Sequence, residues 1–589
     1  MDCHESSKIS ANKVVVMGAG IAGLTAAHEL SHRGFEVYVF EKNTIIGGMA
    51  RSAKISASHQ NSLTGLPAEY SWRGYGAKYF NLLDLLKTIP CDEKGKTVLD
   101  CLVPIESLLF SRKSGNVRFF MKEKKYSVLL SNIYNVIKGW KLAEFIYFLD
   151  ILLLPMIVCN ERICSWDSIR WIDFIDLKKL SQNSRPYLVE MLAPFYGIAY
   201  DKASTMTVIN ALKSFLFYVA TESTVSLMNA PTNDAWFSPW KIFLEKKGVK
   251  FYLSHEILSI ETNDSDYIQS ILVKDLNVAT EKQILADHFV CALPVEAVSK
   301  LISKNPYFYK KQASLKNIEL LASLAEQIML SIQFYFDCDI KLPYEKCPIY
   351  LIDTPWQLFI EPQADFWKIN WSQFGAGDIK QIWSVAIDSE VNEGSLIKKT
   401  VGHCTPEEII QEVWSQIINS THFVHQLLKN NKIVLSEFKY KVAYVWDTFL
   451  YDNGKLITSE PKFSNNADTF RLRPTTKTAW KNFYFATAYT KVPETLFSME
   501  SAVQAGRMAT NAILKISKNK SPVCDTFDNL NKAVYNFTSF FVIFRILDKF
   551  LFKLKMPGLN HVTQRTSLLM LIYFACFIAL VIYGFKIFF

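Results

Sequence analysis

Residues 14–42 read VVVMGAGIAGLTAAHELSHRGFEVYVFEK, and no other stretch of the 589-residue chain restricts its fold so far. VVVM is a β-branched apolar run, which predicts a strand buried on both faces. Leu24, Ala27, His28 and Leu30 follow at helical spacing, and Gly34 stands where a helix would stop. VYVF, residues 37–40, predicts a second buried strand, and Glu41 follows it. Strand, glycine turn, helix, strand and acid together predict a βαβ unit that holds a dinucleotide. Gly18 permits the tight turn, Gly20 lets backbone approach a pyrophosphate with no Cβ in the way, and Gly23 lets the helix pack close to the strand. The pyrophosphate would sit at the helix N-terminus, where unbonded N–H groups and the dipole favour an anion. Glu41 can accept hydrogen bonds from the adenosine ribose. It serves NAD and FAD alike, so it does not choose between them. A glycine-rich turn in an ordinary βαβ unit is the plainer alternative.

The next residues, NTIIGGMARS (43–52), add a second glycine pair and Arg51, which a simple NAD domain does not need. This pattern resembles the flavoprotein superfamily of amine oxidases, phytoene desaturases and hydroxysqualene dehydroxylase. The resemblance implies FAD, with Gly47, Gly48 and Arg51 toward its flavin side. It returns at GVKFYL (248–253), HEILSIE (255–261) and ADHFVCALP (286–294), each of which predicts a strand. There it implies that Ile257 packs on the adenine. Residues 460–513 resemble the closing segment of the family, with 482–486 as a strand and Ser498 and Met499 opening the last helix. Ser498 can cap that helix, and the helix N-terminus can face the electron-rich edge of a flavin. Ala502, Gly506, Ala509 and Ala512 give the helix a small-residue face. Where the family has Gly-Asp, this chain has Thr487 and Ala488. The lost acid is a charged hydrogen-bond partner worth about 1.5–3 kcal/mol, and Thr487 can replace part of it. No cysteine lies between Cys404 and Cys524, so the resemblance implies a noncovalent FAD.

Residues 68–86, AEYSWRGYGAKYFNLLDLL, resemble a loop of the hydroxysqualene dehydroxylase-like subgroup that passes the isoalloxazine. The resemblance implies that Gly74 and Gly76 allow close backbone approach, that Arg73 balances charge on reduced flavin, and that Trp72 and Tyr75 wall the pocket. An aromatic-rich structural loop is the alternative. The implied fold is α/β: a Rossmann-like FAD-binding domain of the glutathione reductase type, with an inserted mixed α+β substrate domain and a C-terminal transmembrane helix. Residues 1–90, 225–300 and 440–516 would build the cofactor domain, 91–224 and 301–439 the substrate domain, and 517–589 an interfacial helix and anchor.

The sequence holds no Ser-His-Asp set, no paired catalytic carboxylates and no metal-ligand spacing, so no catalytic or metal residue is named. A flavin carries the electron chemistry itself. The resulting expectation is dehydrogenation of a hydrophobic isoprenoid, carotenoid or lipid-like substrate, with oxygen or a quinone as electron acceptor. An amine oxidase is the second reading, with Tyr489 in an aromatic pair facing the flavin. A non-redox, mutase-like or degenerate flavin-binding protein is the third, kept open by Thr487 and Ala488.

Half the residues are apolar and the net charge is +9, with no cluster of cations among aromatics to bind nucleic acid. Residues 568–585 carry no charge and are long enough to cross a bilayer of about 30 Å. Arg545, Lys549, Lys553, Lys555 and Arg565 precede them and only Lys586 follows, which predicts a single-pass anchor with the body on the cytoplasmic side. In 537–555, Arg545, Lys549 and Lys553 recur every four residues among large apolar ones. That spacing predicts a helix lying on anionic lipid, with a core helix as the alternative. Residues 145–158 are apolar apart from Asp150 and contain Pro155, which predicts an interior helix, or else a membrane-dipping entrance. Residues 1–12 are polar and predict no cleaved leader. The eleven scattered cysteines predict reduced thiols.

Overall fold

The computed structural model describes residues 12–558 apart from 56–64, 72, 92, 122–130, 132–133, 191–199, 222–223, 263–265, 375 and 529–540. Its opening is β1 (Lys13–Met17), α1 (Ile21–Ser31) and β2 (Glu36–Phe40). Gly34 ends the helical turn in the left-handed region at φ +81°, as glycine does after a helix. The run from Val14 to Met17 is wholly buried, because both faces of this sheet are covered. Three later strands join it: β3 (Lys250–Tyr252), β4 (His288–Cys291) and β5 (Phe483–Phe485). The order is β3-β2-β1-β4-β5 and every pairing is parallel. The strand order reverses between β1 and β4, and parallel sheets bind ligands at the carboxyl ends beside such a reversal. An antiparallel meander (His255–Thr262, Ile268–Asp275, Glu281–Leu285) runs from β3 to β4. Its Ile257, Ile260, Ile271 and Val273 share a core with Val15, Met17 and Phe289 of the parallel sheet.

The short helix α2 (Phe80–Leu86) follows the first unit. Beyond it a seven-stranded sheet forms a second core. Its strands lie in the order Val442–Val445, Ser331–Phe336, Gln381–Ile387, Leu358–Pro362, Ile349–Leu351, Ser107–Arg112 and Gly115–Phe120. All neighbours are antiparallel except Ile349–Leu351 with Ser107–Arg112, so the sheet is mixed. A separate apolar cluster joins α3 (Leu142–Ile157), α4 (Asn160–Ser165) and α5 (Thr205–Thr221). Helix α3 buries Tyr147, Ile151, Leu153, Leu154, Met156 and Ile157, which is the interior placement. It meets the following helical segment at a bend of 113°, and among the described residues no single helix is long and apolar enough to cross a membrane. The expected anchor, 568–585, lies outside the described residues.

Helix α6 (Met499–Ser517) packs along α1. A Cβ on Gly506 would lie 2.6 Å from the Ala22 carbonyl oxygen, so glycine sets this close approach. The chain then returns to α2, where the Phe527 N–H donates to Asn81 Oδ1 at 2.9 Å. Helix α7 (Val542–Lys553) packs on α3 and α4. Of the cations expected to lie on anionic lipid, Arg545 and Lys549 have partners in the body and Lys553 is exposed. Arg545 Nη1 donates to the Met156 carbonyl at 2.8 Å, and Lys549 pairs with Glu161 at 2.5 Å. Asp548, buried against Arg162, lies between them and draws their side of the helix onto the body.

Candidate cofactor site

The first turn leaves β1 at Gly18, whose φ is +100° and whose N–H donates to the Phe40 carbonyl at 2.8 Å. A Cβ on Gly23 would lie 2.1 Å from the Gly18 oxygen, so glycine is required for α1 to pack here. Gly20 differs. Its added Cβ would meet nothing nearer than the Gly48 Cα at 3.9 Å, and no side chain caps α1. An eleven-residue helix therefore presents its N-terminus to open space, which suits an anion. Glu41 ends β2. Its Oε2 accepts from the Ala19 N–H at 2.8 Å and its Oε1 from the Asn43 N–H at 2.9 Å. Burial raises its carboxyl above the ordinary range, and these two donors pull the other way.

The second glycine pair closes on the first. Gly47 donates to the Ala19 carbonyl at 2.9 Å and pairs with Gly20. Gly47 and Gly48 both hold left-handed φ, +118° and +56°. Arg51 Nη1 donates to the Gly48 carbonyl at 2.9 Å, its Nη2 pairs with Glu460 at 2.5 Å, and its guanidinium lies 4.3 Å from the Tyr70 ring centre. Ile257 is buried in the same core as Phe40, close to the end of β2.

At the far end, Ser498 Oγ accepts from the Ser501 N–H at 3.3 Å, and Ser501 Oγ accepts from the Ser498 N–H at 3.0 Å. This reciprocal cap starts α6 at Met499, as the sequence predicts. Thr487 is buried and its hydroxyl is hydrogen-bonded to Thr490 Oγ1 at 2.9 Å, so the turn closes on itself where the family has an acid. Glu500 reaches across to α2. It accepts from the Asn81 N–H (2.9 Å), Asn81 Nδ2 (2.7 Å) and the Leu82 N–H (2.8 Å), and burial pushes its carboxyl up to about 7.

The loop from residue 69 to 76 is tied to the body through Arg73. Arg73 is buried, paired with Glu69, and donates to Thr232 Oγ1 at 2.9 Å. Its charge is thus already balanced within the chain. Beside it, Glu361 is held up at about 8 by burial, with the Arg73 charge pulling it down. Glu69, Arg73, Tyr75, Thr232 and Glu361 bound a space of about 10 Å³, room for one water. Gly76 pairs with Val225 in a short antiparallel ladder, Gly74 is half-buried just before it, and Trp72 lies outside the described residues.

Sequence reasoning missed Lys462. It is buried, donates to the Met329 carbonyl at 2.8 Å and lies 4.8 Å from the Tyr70 ring centre. Burial, then Arg73 and Arg51, push its ammonium down to about 7. Its only signal was the acid–Pro–base order of Glu460, Pro461 and Lys462 within the closing segment. A cavity of about 200 Å³ lies by the start of α6, with Lys78, Lys213, Glu494 and Glu500 in its wall. Lys78 Nζ donates to Ser214 Oγ at 2.7 Å and Lys213 Nζ to Asn160 Oδ1 at 3.1 Å. Nothing in the spacing of these residues marked them.

The comparisons agree with this geometry. A family model described as an NAD(P)-binding Rossmann-like domain matches residues 16–89. The zeta-carotene desaturase of Solanum lycopersicum is 24% identical over 534 residues, covering 86% of this chain and 81% of its own. That of Synechocystis is 23% identical over 522 residues, covering 85% and 97%. Over most of its length the chain is thus similar to these carotene desaturases. A solved putrescine oxidase has a similar fold, with a TM-score of 0.54 and 12% identity over 86% of this chain and 99% of that one. The double glycine cradle is built here, and a threonine turn stands where the resemblance implies Gly-Asp.

Proposed function

We propose that this chain binds FAD noncovalently and dehydrogenates a hydrophobic, isoprenoid- or carotenoid-like substrate at a membrane. The observation that carries the reading is the cradle at the β1/β4 reversal: an uncapped helix N-terminus at Gly20, closed by the second glycine pair and flanked by Glu41. Gly18, Gly20 and Gly23 would hold the pyrophosphate, Glu41 the ribose, and Ile257 the adenine. Gly47, Gly48 and Arg51 would line the approach to the flavin, Thr487 the ribityl or pyrophosphate region, Ser498 and Met499 the pyrimidine edge, and Arg73, Gly74 and Gly76 the loop beside the ring. Bound FAD would supply the two-electron oxidation, and oxygen or a quinone would take the electrons on. The relatives named zeta-carotene desaturase, and a 15-cis-phytoene desaturase of Synechococcus elongatus, support a polyene substrate. The division into cofactor portions 1–90, 225–300 and 440–516 fits the strands of the parallel sheet. Residues 568–585 form the single-pass anchor, with the body facing the cytoplasm.

The amine oxidase reading is less well supported. Tyr489 stacks on Phe463 at 5.8 Å, and Phe463 stacks on Phe497 at 4.9 Å. A substrate between two rings needs about 7 Å, twice an aromatic contact. The protein purified in detergent is expected to show flavin bands in the visible and to release FAD on denaturation. Anaerobic addition of a zeta-carotene-like polyene is expected to bleach those bands. A colourless protein that takes up no added FAD would refute the reading. Bleaching by amines, followed by peroxide release in air, would favour the oxidase instead.

A further inference from the structure

Helix α7 is turned inside out for a helix of a water-soluble body. Ile543, Ile546, Leu547, Phe550 and Leu554 fall at helical spacing on one stripe, and each is between 46% and 67% exposed. The opposite face carries Asp548, which has no exposure. Its carboxylate accepts from Arg162 Nε at 3.0 and 3.1 Å and from the Cys159 N–H at 3.0 Å. An amphipathic helix on a soluble protein buries its apolar stripe and exposes its charges. Here the charges dock the helix and the stripe faces outward. Contiguous exposed apolar surface of this kind marks an interaction site.

We propose that this stripe inserts into the acyl region of a bilayer surface. The proposal rests on the membrane location proposed above and gives it a surface. Two observations select lipid as the occupant. Lys553 and Lys555 are exposed at the C-terminal end of α7, as cations at a lipid surface are, while Arg545 and Lys549 are held by the Met156 carbonyl and Glu161. The uncharged run 568–585 begins 14 residues after Leu554, and 14 residues reach at most about 50 Å. A bilayer crossed by that run therefore lies within reach of α7, and an interfacial helix buries its apolar face about 5–10 Å deep.

The test uses the full-length chain in phosphatidylcholine vesicles, with a photoreactive benzophenone amino acid in place of Phe550. A control carries the same group in place of Tyr267, an exposed aromatic on the meander. Illumination is expected to attach acyl chains at position 550 and not at 267. Adducts at 550 to residues 559–589 or to a second copy, without lipid, would overturn the proposal. So would equal lipid yields at 550 and 267. The readout needs neither flavin nor turnover, so its failure is separate from failure of the oxidoreductase reading. A chain that does not float with vesicles at all would refute the membrane location as well.

Discussion

Gly23 has less room than any other residue of the phosphate turn, since a Cβ there would sit 2.1 Å from the Gly18 oxygen and 3.1 Å from the Ala292 Cβ. Gly23→Ala must push α1 away from β1 and is expected to destabilise the fold by about 1–3 kcal/mol, as overpacking does. The check is a paired measurement of urea unfolding and of flavin retained after gel filtration, both of which should fall. Gly18, Gly20, Gly23 and Glu41 were legible because each answers a demand of its own turn. Lys462 was not, because its burial is set by Tyr70 and Met329, which the chain brings in from far away. Its depressed ammonium makes stability depend on pH with a definite sign. The unfolded chain holds the proton up to its ordinary 10.5 and the folded chain only to about 7. Between these values the unfolded state binds more protons, so this group's penalty shrinks as pH rises. Lys462→Met is therefore expected to stabilise the protein at pH 6. That gain should shrink by up to about 2–3 kcal/mol at pH 9, as about two units of the shift are relieved. Urea unfolding of both proteins at the two pH values decides it, and a gain that is flat or grows with pH refutes it.

The first βαβ unit matched its sequence reading within a residue or two at each boundary, because period and turn chemistry are local properties. The small-residue face of α6 was also legible, and with it the packing on the first βαβ unit, where it meets α1. Gly506→Val would place its Cβ within 2.6 Å of the Ala22 oxygen and 2.8 Å of the Thr25 Cβ. Both helices would then have to separate, and a lower thermal midpoint with weaker flavin retention is expected, because Ala22 lies in the first turn of the cofactor helix. The spacing in α7 predicts a helix lying on lipid, and the structure adds what its other face meets. Four-residue spacing shows which side chains share a face, but not whether that face meets lipid or protein. Asp548, one residue from Lys549, gave the answer only once Arg162 stood opposite it. Asp548→Ala would leave the Arg162 guanidinium buried without its carboxylate, which costs about 3–5 kcal/mol for such a pair. The expected result is release of α7, seen as faster amide exchange across 542–553 while α1 stays protected. Equal protection in α7 would show that the ion pair does not hold it.

At the scale of the molecule, the parallel sheet is assembled from strands near residues 15, 40, 250, 290 and 484, and the site is tied across the same distances. Arg51 pairs with Glu460, Asn81 donates to Glu500 and to the Phe527 carbonyl and accepts from the Phe527 N–H, and Arg507 bridges Glu29 and Asp84. Such ties are invisible in a single sequence, because nothing local in Asn81 or Phe527 requires the other. They also determine where the chain can be cut. Removal of everything after 516 would strip Asn511 of Cys524 and Asn81 of Phe527, leaving buried polar groups unpaired against the cofactor helices. A stop after residue 558 keeps that strap and α7 in place. The shorter chain is therefore expected to lose flavin and stability, whereas the chain ending at 558 keeps both. With the proposed anchor gone, the 558 form should turn over a detergent-dispersed polyene at the full-length rate and lose most of its rate on the same polyene in vesicles. Equal rates on vesicles would mean that α7 alone suffices to hold the body at the surface, and a colourless 558 form would mean that residues 559–589 support the cofactor domain itself.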